Sequence, residues 1–124
     1  MVLIDTSVWI RFLQNREPYF AELGRLLALD EVAGHDLVHG ELLIGDKGGR
    51  SKLLAPYQLM RQAETLRHRD VVEFVRSRGL HGQGLGWIDI HLLASALAGR
   101  LRLWTTDARF LGVTQELGIA HRPG

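Results

Sequence analysis

The sequence contains no cysteine among its 124 residues. Disulfides and thiolate metal sites are therefore excluded, and any metal ion must be held by oxygen or imidazole ligands. The absence of cysteine agrees with a reducing compartment, so we expect a cytoplasmic protein.

Long apolar runs are also missing. No run approaches the roughly 18 residues of a membrane span, and no basic segment followed by a long apolar one opens the chain. We therefore expect an intact soluble protein with no membrane association. The length of 124 residues and the 46% of hydrophobic side chains predict a single domain over residues 1–124, built around one core.

The net charge is only +1, but it is unevenly distributed along the chain. Residues 1–46 carry three basic and eight acidic side chains, whereas residues 47–82 carry eight basic and three acidic ones. A basic segment of this kind suits a polyanion such as RNA, although a solvated helix surface explains a run of charge equally simply. The eight basic residues are Lys47, Arg50, Lys52, Arg61, Arg67, Arg69, Arg76 and Arg78.

Apolar periodicity predicts short strands that alternate with helices. Strands are predicted over 1–4, 31–34 and 101–105, with weaker signals at 63–68 and 118–120. Helices are predicted over 6–14, 19–28, 36–44, 51–60, 70–78, 88–97 and 108–117, the fourth of them kinked or divided by Pro56. Because strands separated by helices pair in parallel, the predicted fold class is α/β, a three-layer α/β/α sandwich with a mostly parallel central sheet.

Two acids occupy matching places after predicted strands. Asp5 follows the apolar run MVLI, and Asp107 follows LRLWTT; each precedes a helix. If the strands are parallel, both carboxylates emerge at the carboxyl edge of the sheet, where open α/β sheets bind ligands. The alternative is that each aspartate only caps the helix that follows it.

Two further acids are aligned with apolar neighbours on predicted helices. Glu41 in DLVHGELLIG shares a helix face with Leu37 and Ile44, and Asp89 heads the inward stripe of GWIDIHLLASAL. A carboxylate in a first helical turn is favoured by the helix dipole, which is the simple explanation of Asp89. Glu41 is harder to explain, since no Lys or Arg stands three or four residues away to pair with it.

Convergence of these four acids would require a cation. Two like charges about 4 Å apart repel by roughly 4 kcal/mol at an effective dielectric constant near 20. Mg²⁺ or Mn²⁺ suits oxygen ligands and phosphate substrates, which predicts metal-dependent nuclease chemistry. A zinc site at His35 and His39 is the weaker hypothesis, and we expect both histidines at the surface.

The stretches DTSVW, GELLIG, GLGWIDIHLLASAL and LWTTDARF strongly resemble the PIN domain, and within it the VapC-type toxins of toxin-antitoxin pairs. The resemblance covers nearly the whole chain, and its most specific part is residues 84–97. It implies an endoribonuclease that uses Mg²⁺ or Mn²⁺, is held inactive by a cognate antitoxin and forms a homodimer. By motif, the catalytic and metal-binding acids would be Asp5, Glu41, Asp89 and Asp107.

The resemblance also implies supporting residues. Thr6, Ser7 and Thr105 would orient carboxylates or waters. Arg109 stands where some relatives carry a further acid, so it would contact phosphate instead.

The resemblance places an antitoxin groove near the first helices. Trp9, Phe12 and Leu13 would line this groove, with core packing as the alternative for each. Trp87 and Trp104, near the third and fourth acids, would either stack on RNA bases or pack inside the domain.

Two other functions compete with a nuclease. A phospho-receiver domain also gathers acids at a sheet edge, but it needs a lysine late in the chain, and the only lysines are Lys47 and Lys52. A non-catalytic PIN-like domain that binds RNA or protein is the second alternative. Such a domain is expected to have lost acids, whereas all four are present here.

Overall fold

The computed structural model describes residues 1–123 of the chain. Within them the strands are β1 (Val2–Ile4), β2 (Val32–Ala33) and β3 (Arg102–Trp104). The helices are α1 (Thr6–Leu13), α2 (Tyr19–Ala28), α3 (Asp36–Ile44), α4 (Ser51–Leu59), α5 (His68–Arg78), α6 (Trp87–Gly99) and α7 (Ala108–Glu116). The predicted α/β fold class is confirmed.

The three strands form one parallel sheet in the order β2-β1-β3. Leu3 of the central strand lies opposite Ala33 on one side and Leu103 on the other. Successive strand residues face opposite sides of a sheet, and both Leu3 and Ile4 are fully buried, so both faces of β1 are covered. The carboxyl ends of β1 and β3 therefore open on the same edge.

Helix α6 is the most buried helix of the domain. Every residue from Ile90 to Ala96 is buried, which explains why this stretch is apolar on nearly all sides. Asp89 sits just before this buried segment, at the end of the helix that points to the carboxyl edge of the sheet. Among the residues described, no helix is both long and apolar enough to cross a membrane.

Two predicted strands are not formed. In place of a strand over 63–68, Gly34 and Gln62 make an isolated parallel bridge, and the following residues lead into α5. The stretch 118–120 likewise contributes a single bridge, between Ala120 and Leu103. The edge strand β2 has only two residues, so few backbone groups are available there for hydrogen bonds to a further strand.

Helix α4 runs through Pro56 without dividing. Proline removes the hydrogen bond to the carbonyl four residues earlier, here that of Lys52. Lys52 and Pro56 are both exposed, so water can bond to that carbonyl in place of the missing N–H.

The expectation that His35 lies at the surface is wrong. Its side chain is fully buried and caps α3, with Nδ1 accepting from the Leu37 N–H at 3.1 Å. Nε2 lies 3.0 Å from the Ser95 hydroxyl, which itself donates to the Glu64 carbonyl at 2.6 Å. This network assigns the ring proton to Nε2, and burial lowers the pKa of His35 to about 4. His35 is a neutral structural residue that joins α3 to α6.

Candidate active site

Asp5 is held by three donors at the end of β1. Its Oδ1 accepts from the Thr6 N–H at 2.9 Å, as the N-cap of α1. Its Oδ2 accepts from the hydroxyls of Ser7 and Thr105, both at 2.8 Å. The carboxylate is buried, and the donors come from both α1 and the segment after β3, so its orientation is fixed by two elements at once.

Asp107 lies beside Asp5 because the neighbouring strand ends at the same edge. Its Oδ1 accepts from the Phe110 N–H at 2.9 Å and caps α7. Its backbone N–H donates to the Thr105 hydroxyl at 3.1 Å, so Thr105 contacts both acids. The Asp107 side chain is exposed, which leaves its second carboxylate oxygen available for a ligand.

Glu41 reaches the edge from α3. Its Oε1 accepts from the Thr6 hydroxyl at 2.6 Å, which ties α3 to the first turn of α1. The helix face that it occupies is not the core face, since Val38 and Leu42 are fully buried whereas Ile44 is 88% exposed. The predicted apolar setting of Glu41 is corrected accordingly: the acid lies beside the core, next to Thr6.

Asp89 lies in the first turn of α6. Its Oδ2 accepts from the Gly86 N–H at 3.1 Å, within the first turn of α6. Burial raises the pKa of Asp89, and the negative charges of Asp5, Asp107 and Glu41 raise it further, while the Gly86 N–H opposes them. The three other carboxylates are therefore close enough to Asp89 for their charges to act on it.

The donor chemistry of this cluster fits a hard divalent cation. All the available ligands are oxygens, and a cation would offset the neighbouring negative charges that, after burial, help to raise the pKa of Asp89. As the side chains stand, no three acid, histidine or cysteine side chains among residues 1–123 are gathered into a ready-made ligand shell. Each of the four carboxylates instead accepts from a backbone N–H or a hydroxyl.

The positively charged side chain of Arg109 lies at the edge of the acid cluster, by which we mean Asp5, Glu41, Asp89 and Asp107. It lies in the first turn of α7 and its side chain is exposed. Its guanidinium passes so close to the glycine-rich loop that a Cβ at Gly84 would lie 2.6 Å from Nη1. The loop before Asp89 and the helix after Asp107 therefore meet at this side chain.

The predicted antitoxin groove needs one correction. Trp9 is completely buried and packs edge-on against Tyr57 at 5.6 Å, so it belongs to the core and cannot line an open groove. Phe12 and Leu13 are half-buried. Phe12 stacks on Phe20 at 5.5 Å, and Phe20 is 45% exposed, so α1 and α2 share an aromatic surface that the sequence pattern did not reveal.

The other two tryptophans, Trp104 and Trp87, differ from each other in solvent exposure. Trp104 is buried and stacks on Tyr19 at 5.9 Å, so it packs inside the domain. Trp87 is 43% exposed at the start of α6. Of the two candidates for base stacking, only Trp87 offers a surface.

Known proteins resemble this chain over the whole site. The PIN domain family matches residues 2–115. Ribonuclease VapC32 of Mycobacterium tuberculosis, from strains CDC 1551 / Oshkosh and ATCC 25618 / H37Rv, is 40% identical over 121 residues. That similarity covers 97% of this chain and 95% of the relative. It thus spans every element that carries one of the four acids.

Proposed function

This chain belongs to the PIN-domain family, and from that membership we propose that it is a metal-dependent endoribonuclease that acts as the toxin of a toxin-antitoxin pair. It would hydrolyse RNA phosphodiester bonds at Asp5, Glu41, Asp89 and Asp107. The observation that carries the proposal is the hydrogen-bond network in which Thr105 joins Asp5 to Asp107 and Thr6 joins Glu41 to the first turn of α1. The raised pKa of Asp89, caused by burial and by the charges of the other three acids, agrees with it.

The four acids would hold Mg²⁺ or Mn²⁺, which supplies an activated water and neutralises charge on the phosphodiester when bound. The chain's own contribution is orientation. Ser7 and Thr105 fix the Asp5 carboxylate, and Thr6 fixes that of Glu41. Since orientation before reaction lowers the barrier, loss of these hydroxyls is expected to slow cleavage.

Arg109 would bind the substrate rather than the metal. Its guanidinium is exposed at the rim, and it is the group best shaped for two-point contact with phosphate oxygens. We place the phosphate of the cleaved RNA between Arg109 and the acids.

A cognate antitoxin protein would inhibit the enzyme. The relative's VapC name supports this partner, and the aromatic surface of Phe12 and Phe20 with Leu13 gives an apolar segment of such a protein a place to pack. We further propose a homodimer that works in the cytoplasm.

The nuclease proposal is tested with Asp5→Asn and Asp89→Asn. Each keeps the size of the side chain and an oxygen acceptor while removing the charge, so RNA cleavage should fall to the level measured without metal. Asp30→Asn is the matched control: Asp30 is exposed, precedes β2 at the opposite edge of the sheet, and has a φ of 56°, which asparagine tolerates. A double Asp5→Asn, Asp89→Asn variant as active as the wild type would overturn the proposal.

A non-catalytic PIN-like domain that binds RNA or protein is the alternative. Such a domain is expected to have lost acids, and the presence of Asp5, Glu41, Asp89 and Asp107 argues against it. This function predicts that the wild type and Asp89→Asn bind RNA equally well and that neither cleaves it over a range of Mg²⁺ and Mn²⁺ concentrations.

A further inference from the structure

Trp87 is an exposed aromatic side chain beside the acid cluster. It is 43% exposed, whereas Trp9 and Trp104 are buried. It stands two residues before Asp89, at the first position of α6. A large apolar ring left in water at a site edge is a common feature of ligand-binding surfaces.

Trp87 forms one wall of a cavity of about 320 Å³. The other walls come from the end of α5 and from the glycine-rich loop, with Leu80, His81 and Gln83 among them. The cavity thus combines an aromatic surface with polar groups able to form hydrogen bonds, which is the usual composition of a pocket for a planar heterocycle.

The indole ring is held in a defined orientation. The His68 ring packs against it at 5.2 Å, and the His91 ring meets it edge-to-face at 5.1 Å and 89°. A ring that is already fixed loses little conformational freedom when a ligand stacks on it.

The cavity and the acid cluster share the same loop. The Gly86 N–H binds Asp89, and Gly84 lies under the Arg109 guanidinium. The cavity is therefore linked to Arg109 through Gly84, which lines it, and to Asp89 through the loop that ends at Gly86.

We propose that this cavity binds a nucleobase of single-stranded RNA, stacked on Trp87, in the nucleotide adjacent to the cleaved phosphate. The inference rests on the proposed nuclease function and assigns its substrate contact. Base stacking on aromatic side chains is largely independent of sequence, so Trp87 contributes affinity and register rather than base identity.

The charge around the cavity favours RNA over a second copy of the chain. Arg76 and Arg78 lie in the last turn of α5, at the same end as the cavity, and would attract the RNA backbone. The strongly exposed aliphatic side chains lie elsewhere, at the end of α2 and on α3 and α4: Leu29, Leu43, Ile44 and Leu59.

The test measures binding and cleavage separately. In the Asp89→Asn background, binding of a dye-labelled, unstructured oligoribonucleotide is followed by the fluorescence anisotropy of the dye, a signal that does not depend on tryptophan. Trp87→Ala should weaken binding about 10-fold or more, and Trp87→Phe should retain most of it. Leu59→Ala, which removes an 88% exposed apolar side chain on α4, is the control and should leave binding unchanged.

In the active enzyme, Trp87→Ala should raise the KM for RNA more than it lowers kcat. Substrates that lack one base next to the cleaved bond should bind the wild type weakly, and Trp87→Ala should cause no further loss with them. Unchanged RNA affinity in Trp87→Ala overturns the inference, as does a change of oligomeric state without a change in RNA binding. If the wild type cleaves no RNA, the nuclease proposal fails, while the binding measurement still decides the role of Trp87.

Discussion

The Thr105 hydroxyl donates a 2.8 Å hydrogen bond to Asp5 Oδ2, joining residues 100 positions apart at the ends of adjacent parallel strands. The Thr105 hydroxyl oxygen also accepts a hydrogen bond from the Asp107 N–H at 3.1 Å. A hydroxyl can donate and accept at once, so one buried side chain sets the distance between the first and the fourth acid. The parallel register of β1 and β3 makes this contact possible.

Thr105→Val is expected to impair the site more than the fold. Valine keeps the shape but leaves Asp5 with one hydroxyl donor and the Asp107 N–H without its acceptor. We expect a stability loss of about 1–3 kcal/mol. The concentration of Mg²⁺ or Mn²⁺ needed for half-maximal cleavage should rise as well, measured by titrating metal at fixed RNA concentration.

Two variants control for that result. Thr105→Ser keeps the hydroxyl and should restore most of the metal affinity. Thr114→Val makes the same change at a buried threonine that donates to the Leu111 carbonyl within α7. Thr114→Val should lower stability without changing the metal concentration needed for half-maximal cleavage. An equal increase of that concentration in both valine variants would contradict a specific role for Thr105.

Metal binding is expected to stabilise the folded protein. Because the charges of the neighbouring acids help to raise the pKa of Asp89, a cation should relieve repulsion in the folded state only. At about 100 times the dissociation constant, the expected stabilisation is about 2.7 kcal/mol, read as an increase in Tm.

Asp89→Asn should have opposite effects with and without metal. Removing one of four like charges is expected to raise the stability of the metal-free protein by about 1 kcal/mol. Functional sites commonly carry such destabilising features because activity requires them. The same change should abolish the Tm increase that Mg²⁺ or Mn²⁺ produces. Asp30→Asn should keep that increase, and a metal-dependent Tm increase in Asp89→Asn equal to the wild-type value would argue against this site.

The elements that carry the acids were predictable because their signals are local. The apolar run before Asp5 and the apolar stretch after Asp89 read correctly as β1 and α6. The surroundings of other side chains were not predictable, because they depend on distant partners. His35 is buried and lies 3.0 Å from the hydroxyl of Ser95, 60 positions away in the chain.

Tryptophan exposure shows the same limit. Trp9 and Trp87 each lie near the start of a helix that begins at or close to one of the four acids. Trp9 is nevertheless completely buried, whereas Trp87 is 43% exposed. Trp9 packs against Tyr57 of α4, and the residues next to Trp9 in the sequence do not predict this contact.

Stability should fall in mild acid because of His35. Burial lowers the pKa of His35 from 6.5 to about 4, so the unfolded chain takes up a proton at a higher pH than the folded one. The stability that depends on neutral His35 is complete above pH 6.5 and is lost as the pH falls toward 4, by about 3 kcal/mol in total. Chemical denaturation at a series of pH values measures this slope.

His35→Asn isolates that contribution. Asparagine is a good N-cap and can still accept from the Leu37 N–H, but it does not titrate. The variant should be less stable than the wild type at neutral pH and should lose less stability between pH 6.5 and 4. His81→Asn, at an exposed histidine, should keep the wild-type slope, and a wild-type slope in His35→Asn would refute the assignment.

Gly84→Ala is expected to disturb Arg109. The residue has a φ of 78°, and an added Cβ would lie 2.6 Å from Arg109 Nη1, so alanine adds both backbone strain and a clash. Gly82→Ala is a close control, because Gly82 has a φ of 74° and open space around its Cβ position. Both variants should lose about 1–2 kcal/mol from the left-handed backbone.

Only Gly84→Ala should also displace the guanidinium. If Arg109 contacts the RNA backbone, Gly84→Ala should then raise the KM for RNA and reduce the salt dependence of binding, the same changes that are expected of Arg109→Ala. Adding Gly84→Ala to Arg109→Ala should cause no further increase in KM, because the group that it displaces is already absent. If Gly82→Ala and Gly84→Ala raise KM equally, the effect comes from the loop backbone, and the contact between Gly84 and Arg109 has no part in binding.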